Sequence, residues 1–578
     1  MGGTRGGTDG GLVLGPLLRY VDTDSATVWV ETERAAAVTV EAGDEVATAR
    51  TFCVHGHHYA LVEVTGLGEG TRTPYRVHVN GRQVWPEPDS PYPDPLIATL
   101  DPRRRLRLGF GSCRVSGPHD AEGNAEFGVD ALRAYALHLA DDPDEGWPDL
   151  LLFLGDQVYA DETSDEMREF IASRRSLEEP PGEELRDYEE YAHLYKLAWS
   201  EPVNRWLLST VPTAMIFDDH DIRDDWNTSW TWRAEMEDTS WWRLRIVSGL
   251  GSYWVYQHLG NLSAAERAED ELWQRISAHE GDEELDVTEA LDALADRADR
   301  EPATYRWSHA RDFGDQVRLV VVDSRAARVL DPEDRSILDP AEMAWFDNQM
   351  QGGFDHVLVG TSLPFLLAPG LHHVEAFNEA VSSGVWGRLM ARVGERFRQA
   401  LDMEHWAAFQ QGFRDVATMT LEVAAGRRGR APHTVVFLSG DVHHSYVSSA
   451  WPDPEATDLE IEGRILQATC SPIRNPLPRV MEHLTTWATR RTVGRGVQRL
   501  ARTAKVPRSP LAWRVDRGPW YDNNLAMLDV RPEGGLVMRW LAGDVRGRAP
   551  EAPTLREVAV VEVPGAGSRS SDGQPASL

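Results

Sequence analysis

Short segments of alternating apolar and polar residues dominate the first hundred residues of the chain. The clearest are residues 26–31, 37–41, 59–64 and 75–79. Alternation with a period of two is typical of strands with one buried face, and the Gly, Asp and Pro residues between the segments are typical of turns. The pattern predicts a small β-sandwich domain over residues 12–100, preceded by a flexible, glycine-rich segment, residues 1–11. Residues 86–95 contain five prolines and predict an extended connector at the end of this domain.

Beyond residue 100, near-continuous apolar runs replace the alternation, and most of them end in polar residues. The runs are 149–154 before Gly155-Asp156, 213–217 before Asp218, 317–322 before Asp323, 356–360 before Thr361, and 434–438 before Gly440-Asp441. Such runs are typical of strands buried on both faces, as in α/β folds with helices packed outside. Polar residues at the carboxyl ends of these strands are where such folds place their sites. The pattern predicts an α/β domain over residues 101–563.

Three further segments complete the predicted organisation. Residues 262–301 are acidic and rich in alanine, which favours a solvated helical insertion. Residues 523–541 predict a hairpin with its turn at 531–535. Residues 564–578 are rich in Gly, Ser, Asp and Pro and predict a disordered tail.

Composition excludes several classes of protein. The 578 residues include 59 Lys and Arg against 92 Asp and Glu, a net charge of −33, which argues against binding of long nucleic acid. An apolar fraction of 42% and 21 Trp exclude a disordered chain. Three cysteines are too few for a disulfide framework, and no stretch resembles a signal peptide or a spanning segment. We therefore expect a cytoplasmic protein without a membrane partner; export by another route and the oligomeric state stay open.

Four segments at strand ends carry candidate chemistry. They are Gly111-Ser112-Cys113-Arg114, Gly155-Asp156-Gln157-Val158-Tyr159, Asp218-Asp219-His220-Asp221 and Gly440-Asp441-Val442-His443-His444. Carboxylates, imidazoles, thiolates and phenolates are metal ligands. Each segment alone has a structural explanation: a packed cysteine, a helix N-cap, a solvated acidic loop, or a core aspartate with surface histidines. Gly314-Asp315-Gln316-Val317 repeats the letters of the second segment but precedes its strand and lacks the tyrosine, so it predicts a turn.

Together, in this order, the four segments resemble the PhoD-like alkaline phosphatases of the calcineurin-like metallophosphoesterase superfamily. The resemblance extends over residues 12–545 and includes Val322-Asp323-Ser324-Arg325, residues 402–406 and residues 523–526. It implies an α/β fold with a metallophosphoesterase β-sandwich core flanked by helices over residues 101–563. A small all-β immunoglobulin- or fibronectin-like sandwich would precede this core.

The resemblance also implies a site with two metals. One metal, Fe³⁺, would take Cys113, Asp156, Tyr159 and His443. The second, Ca²⁺ or else Mg²⁺, Mn²⁺ or Zn²⁺, would share Asp156 and add Asp219 and Asp441. The implied reaction is in-line attack of a metal-bound hydroxide on small phosphate monoesters or diesters, with His220 and Arg114 as catalytic residues.

Other residues near these segments have plainer interpretations. Arg325 is expected in a salt bridge, with substrate binding as the alternative. His405 is expected in helix packing against the site wall, with direct metal ligation as the alternative. His372 and His373 are expected in a loop, with a place at the edge of the pocket as the alternative. Two alternative functions also fit the sequence: a non-catalytic binding or scaffold protein with a structural metal, and a different metal-dependent hydrolase on the same fold.

Overall fold

The computed structural model describes residues 11–142, 146–531 and 534–565. The predicted N-terminal flexible segment and C-terminal tail fall almost wholly outside these ranges. The amino-terminal strands are β1 (Leu12–Val21), β2 (Ser25–Thr32), β3 (Ala37–Ala42), β4 (Glu45–Arg50), β5 (Phe52–Val54), β6 (His57–Thr65), β7 (Arg72–Val79), β8 (Arg82–Trp85) and β9 (Leu96–Ala98). They form two sheets, β1-β2-β6-β5 and β4-β3-β7-β8 with β9 beside β7. The prediction of an all-β domain is confirmed.

The sheet containing β1, β2 and β6 is buried on both faces. Val28 and Val62 are paired across β2 and β6 and lie in the interior of the sandwich. Trp29 and Leu61, one residue along, pair on the opposite face and join the core of the following domain. Because successive residues of a strand point to opposite faces, the same alternation serves two cores.

The second part of the chain is built on two larger sheets. Their orders are β12-β11-β10-β21-β22-β23 and β14-β15-β16-β17-β19-β18-β20. Leu152 and Leu154 on one sheet lie against Gly360 on the other, so the sheets pack face to face. The strands are β10 (Arg107–Gly111), β11 (Leu150–Leu154), β12 (Thr213–Ile216), β13 (Leu285–Asp286), β14 (His309–Phe313), β15 (Val317–Val322), β16 (His356–Thr361), β17 (Thr434–Ser439), β18 (Ser445–Pro452), β19 (Arg464–Thr469), β20 (Leu511–Trp520), β21 (Asn524–Val530), β22 (Leu536–Asp544) and β23 (Thr554–Val563).

Helices flank this sandwich. The helices are α1 (Ala121–Phe127), α2 (Ala131–Asp141), α3 (Asp165–Arg174), α4 (Tyr188–Trp199), α5 (Pro202–Thr210), α6 (Trp230–Glu237), α7 (Trp242–Tyr253), α8 (Ala264–Glu269), α9 (Glu271–Ser277), α10 (Thr288–Arg300), α11 (Pro340–Gln349), α12 (Pro369–Ser382), α13 (Arg388–Ala400), α14 (Gln410–Ala424), α15 (Arg479–Ala488) and α16 (Arg491–Thr503). Phe346 of α11 and Phe413 of α14 pack on Val320 and Val435 of the seven-stranded sheet, while α2 covers β21–β23. Among the described helices, none has the length and apolar character needed to cross a bilayer.

The predicted α/β sandwich, the pairing of β21 with β22 in the predicted hairpin and the turn at Gly314-Asp315 between β14 and β15 are confirmed. Residues 532 and 533 of the predicted hairpin turn lie outside the described residues. The prediction that residues 262–301 form a solvated insertion needs correction. Residues 262–301 are mainly helical, but α10 buries Leu291 and Leu294 beside α7, and β13 pairs with β5 in the N-terminal sheet. Just before β13, Glu284 lies 2.7 Å from Nδ1 of His58. The segment therefore ties the two parts of the molecule together.

Candidate metal centre

The site lies where parallel strands of both sheets end, and two glycines allow the close approach. At Gly155, where φ is +100°, a Cβ would stand 2.6 Å from the Asp218 Cβ. At Gly440, a Cβ would stand 2.0 Å from Oγ of Ser112 and 3.0 Å from the Leu154 carbonyl oxygen. Both glycines belong to Gly-Asp pairs, so each pair brings a carboxylate to the junction of the sheets.

Four carboxylates meet at this junction. Asp156, Asp218, Asp219 and Asp441 each offer an oxygen atom within 4.8 Å of the others. The predicted ligands Asp156, Asp219 and Asp441 are thus brought together. Asp218, which lies in the predicted acidic segment, was missed as a member of the group. Asp156 Oδ1 and Asp218 Oδ2 are buried and have no hydrogen-bond partner.

Burial disfavours charge on these aspartates. It raises the pKa of Asp156 and of Asp218, and neighbouring aspartates add to both shifts. The pKa of Asp219 rises to about 6 for the same reason, although Arg325 opposes the shift. Buried carboxylates with unused oxygens are compensated by cations or protons, and this donor set fits a hard cation.

A thiol and a phenol lie beside the carboxylates. Cys113 Sγ is 3.3 Å from Asp156 Oδ2 and accepts from the Ser471 hydroxyl at 3.3 Å. The Tyr159 oxygen accepts from Asn475 Nδ2 at 3.1 Å. Burial raises the pKa of both Cys113 and Tyr159, so each keeps its proton unless a cation displaces it.

His443 follows Asp441 by two residues. Its backbone N–H donates to the Ser471 hydroxyl at 3.1 Å, which fixes the segment beside Cys113. Burial lowers the pKa of His443 to about 4, so its imidazole is neutral at pH 7, the form that binds metals. Thiolate, phenolate and imidazole are all donors that iron accepts, so the chemistry of Cys113, Tyr159 and His443 fits the predicted Fe³⁺. Among the described residues, the cluster of mutually close carboxylate oxygens includes neither Cys113 nor His443.

The backbone is strained at four of the predicted ligands. Cys113, Asp156, Asp441 and His443 have φ values of 57°, 51°, 64° and 49°. The left-handed region costs a residue with a side chain about 1–2 kcal/mol. Strain of this kind collects at functional sites, because sharp turns aim side chains at one point.

Arg325 fills the carboxylate side of the centre. Its guanidinium forms ion pairs with Asp218, with Glu404, and with Asp219 at 2.9 Å. The salt-bridge interpretation of Arg325 is confirmed. The side chain is fully buried, so it offsets part of the local negative charge but leaves one oxygen of Asp218 unpaired.

His220 is held in one orientation. Its Nδ1 lies 2.9 Å from Asp161 Oδ1, and its ring lies against Tyr159 with centroids 4.8 Å apart and planes tilted by 33°. Burial opposes the charged imidazole, but Asp161 and Asp219 outweigh burial and raise the pKa of His220. The protonated ring can donate from Nε2, which suits an acid that serves a leaving group.

The structure gives Arg114 a different environment from His220. Its guanidinium pairs with Asp130 at 2.8 Å and donates to the Ala198 carbonyl at 3.0 Å. Asp130 is also the N-cap of α2, where it accepts from the Arg133 N–H. These contacts fix α2 behind the Cys113 turn, and the catalytic role of Arg114 stays a prediction.

The histidines assigned to packing and to a loop need correction. His405 donates from Nε2 to Asp441 Oδ2 at 3.1 Å, and its Nδ1 lies 2.9 Å from Glu375 Oε1, so it contacts a predicted ligand directly. His372 and His373 lie within α12, not in a loop. His372 is buried against Phe413.

Sequence reasoning missed several supporting residues. Asp161 was detectable, since it lies two residues after Tyr159, the last residue of the second candidate segment. Asn475, Ser471 and Glu375 had no such signal, because each reaches the centre from a distant part of the chain. Their contacts exist only in the folded protein.

The sequence matches the model of the PhoD-like phosphatases over residues 125–471 and that of a domain of unknown function over residues 9–97. No curated protein sequence matches the chain significantly. The structure of PhoD is similar with a TM-score of 0.57 and 14% identity, covering 97% of this chain and 92% of that chain. This likeness supports the fold.

A purple acid phosphatase, PPD1 from yellow lupin (Lupinus luteus) seeds, gives a TM-score of 0.46 at 10% identity, covering 97% of this chain and 77% of the lupin chain.

Proposed function

Because the chain belongs to the PhoD-like phosphatase family and is a metal-dependent phosphoesterase, we propose that it hydrolyses small phosphate monoesters or diesters at the four-carboxylate centre. One observation carries the proposal. Asp156 Oδ1 and Asp218 Oδ2 are buried, lack hydrogen-bond partners and face a cluster whose oxygens lie within 4.8 Å of one another. Such a cluster is stable as anions only when cations complete it.

The donors divide between two metals. Cys113, Tyr159 and His443 with Asp156 would hold Fe³⁺, and Asp156, Asp219 and Asp441 would hold Ca²⁺ or another hard divalent cation. When bound, the cations supply Lewis-acid activation of the phosphoryl group and of the attacking water.

The protein's own residues orient the reaction. His220, fixed by Asp161 at 2.9 Å, protonates the oxygen of the leaving group. His405, held between Glu375 and Asp441, keeps the Asp441 carboxylate in place. Burial opposes charge on Asp441, but the hydrogen bond and charge of His405 outweigh it and lower the pKa of Asp441.

The net charge narrows the substrate class. At −33 the chain repels long polyanions at a distance, while a small ester carries few charges to the site.

A reducing, cytoplasmic setting also belongs to the proposal, supported by three free cysteines, of which Cys113 and Cys470 are buried.

The test of the proposal uses a matched pair of variants. Asp156→Asn should lower kcat on nitrophenyl phosphate mono- and diesters at least about 1,000-fold, because the variant loses the carboxylate that would serve both metal sites. Asp315→Asn is the control: it changes the same Gly-Asp-Gln-Val letters in an exposed turn, and activity should stay at the wild-type level. Full activity of a folded Asp156→Asn protein would reject the phosphoesterase site and favour a binding role.

The metal assignment has a separate readout. Elemental analysis should find iron, and the purified protein should show a visible band from tyrosinate bound to Fe³⁺. Tyr159→Phe should remove the band, whereas Tyr521→Phe should retain it. A colourless, iron-free and fully active protein would overturn the assignment of Tyr159 and Cys113.

A further inference from the structure

Two helices of the catalytic part carry apolar stripes on their exposed faces. On α13, Leu389 and Phe397 are 75% and 55% exposed, with Val393 between them at helical spacing. On α15, Val480 and Trp487 are 74% and 53% exposed, with Leu484 between them. Residues four and eight apart, or four and seven apart, lie on one face of a helix. An amphipathic helix normally buries its apolar face. In both of these helices the apolar face is exposed to solvent instead.

The opposite faces of these helices pack on α12. Gly394 of α13 accepts from the Asn378 side chain at 2.9 Å, and Ala488 of α15 lies against Gly370. Helix α16 adjoins the same end of α12, with Gly494 beside Pro369. Each helix is therefore anchored through small residues, and its apolar stripe points away from the protein.

The segments that carry these helices are locally basic, although the chain as a whole is acidic. Residues 385–401 hold four arginines and one acidic residue, and residues 479–505 hold seven Lys and Arg and one acidic residue, in a protein of net charge −33. On α16, Arg495, Arg499 and Arg502 are exposed at a spacing of four and three residues, so they share a face.

We propose that α13, α15 and α16 form a docking surface for an anionic lipid bilayer. Helices that lie in a membrane interface combine a large apolar stripe with Lys and Arg on the flanks, and anionic headgroups attract each cation. A protein partner fits less well, because the centres of protein interfaces are depleted in charge. Here Arg392 and Arg396 are interleaved with the α13 stripe.

The sequence predicts no membrane partner because it has no membrane-spanning apolar segment. Helices that lie in the membrane interface do not need such a segment. The docking surface adjoins the metal centre but supplies none of its ligands. Leu401, after α13, leads into the segment that carries His405, and Thr485 of α15 is 2.8 Å from the Tyr521 hydroxyl. Docking is thus testable independently of catalysis.

Vesicle flotation in 0.1 M NaCl tests the proposal. The protein should bind vesicles of equal phosphatidylglycerol and phosphatidylcholine at least tenfold more tightly than phosphatidylcholine alone, and 0.5 M NaCl should weaken binding. The combined variant Leu389→Ser, Phe397→Ser, Leu484→Ser, Trp487→Ser should lose binding. Arg495→Gln, Arg499→Gln, Arg502→Gln should weaken binding about 100-fold, at about fivefold for each arginine.

Matched controls separate docking from general surface effects. Val46→Ser with Trp230→Ser changes exposed apolar residues elsewhere, and Arg34→Gln with Arg76→Gln changes exposed arginines elsewhere. Both should bind as wild type, and all variants should hydrolyse a soluble nitrophenyl ester normally. Three results would overturn the proposal: no binding to anionic vesicles, equal loss in the controls, or a dimer in light scattering that the combined apolar variant converts to monomer.

Discussion

Two regions of this molecule bury carboxylates, and they treat them differently. Where the N-terminal sheet meets the catalytic part, Glu31 lies 2.8 Å from Nδ1 of His57 and accepts from Tyr256 at 2.9 Å. At the strand ends of the large sheets, Asp156 and Asp218 each keep a buried oxygen without a partner.

The first region is a closed network. Nε2 of His57 lies 3.0 Å from Glu189 Oε2, and the hydroxyl oxygens of Tyr59 and Tyr256 are 2.9 Å apart. Buried charge alone therefore does not mark a functional site, because a fully paired network is a structural contact. Unused hydrogen-bonding capacity beside strained backbone distinguishes the metal centre.

The largest effect should come from breaking the charge balance of the centre. Arg325→Met leaves Asp218 and Asp219 without their cation, whereas Glu404 keeps its ion pair with Arg328 at 3.4 Å. The change should lower the free energy of unfolding by about 3–5 kcal/mol in the presence of a chelator. Saturating divalent cation should recover part of this loss, because it binds the same carboxylates. Chemical denaturation with and without chelator measures both quantities.

Arg267→Met serves as its control. Arg267 is a buried arginine paired with Glu63 at 2.9 Å, away from the centre. Its variant should lose stability without any recovery on addition of cation. If the Arg325 variant is equally insensitive to cation, the four carboxylates do not form a metal site.

A smaller effect should follow from releasing His220. Asp161→Asn replaces the carboxylate that orients the imidazole and should lower kcat about 10- to 100-fold, with KM little changed. Esters with a poor leaving group should lose most, since they need protonation, and nitrophenyl esters should lose least.

The double variant should lose no more activity than His220→Gln alone, since Asp161 acts only through His220. Additive losses, or equal losses for all leaving groups, would contradict the role of Asp161 as a positioning residue.

The smallest expected effect is on stability, in the hydrogen-bonded network around His57. Burial opposes charge on His57, but Glu31 and Glu189 outweigh it and raise the pKa of His57. A raised pKa stabilises the fold fully below the unfolded pKa of about 6.5, and the contribution disappears as pH rises through the folded pKa. His57→Gln should therefore cost about 1 kcal/mol at pH 6 and less at pH 9.

A double-mutant cycle with Glu31→Gln checks the His57 prediction. The coupling energy from thermal unfolding should be present at pH 6 and shrink at pH 9. Coupling that is constant over this range would show that the contact does not depend on a charged imidazole.

The sequence predicts the strand ends well. The run at 149–154 coincides with β11, Leu150–Leu154, because burial on both faces leaves an uninterrupted apolar segment that ends where the chain becomes polar. The Gly-Asp pairs at these ends bring Asp156 and Asp441 to one place.

Other parts of the centre could not be predicted. Asn475 reaches Tyr159 across 316 positions of sequence, and Glu375 reaches His405 from within a helix; neither lies in a motif. The strand β13 has two residues, too few to show a period. Long-range pairing of single polar residues leaves no local pattern.

That short strand has a practical consequence for anyone redesigning the protein. Residues 285–286 follow the N-terminal domain by almost two hundred positions, yet they form the edge of its sheet. Replacing the first hundred residues with those of a relative would present β13 and Glu284 with a foreign neighbour. A chimaera should therefore carry residues 284–286 from the same parent as its N-terminal domain.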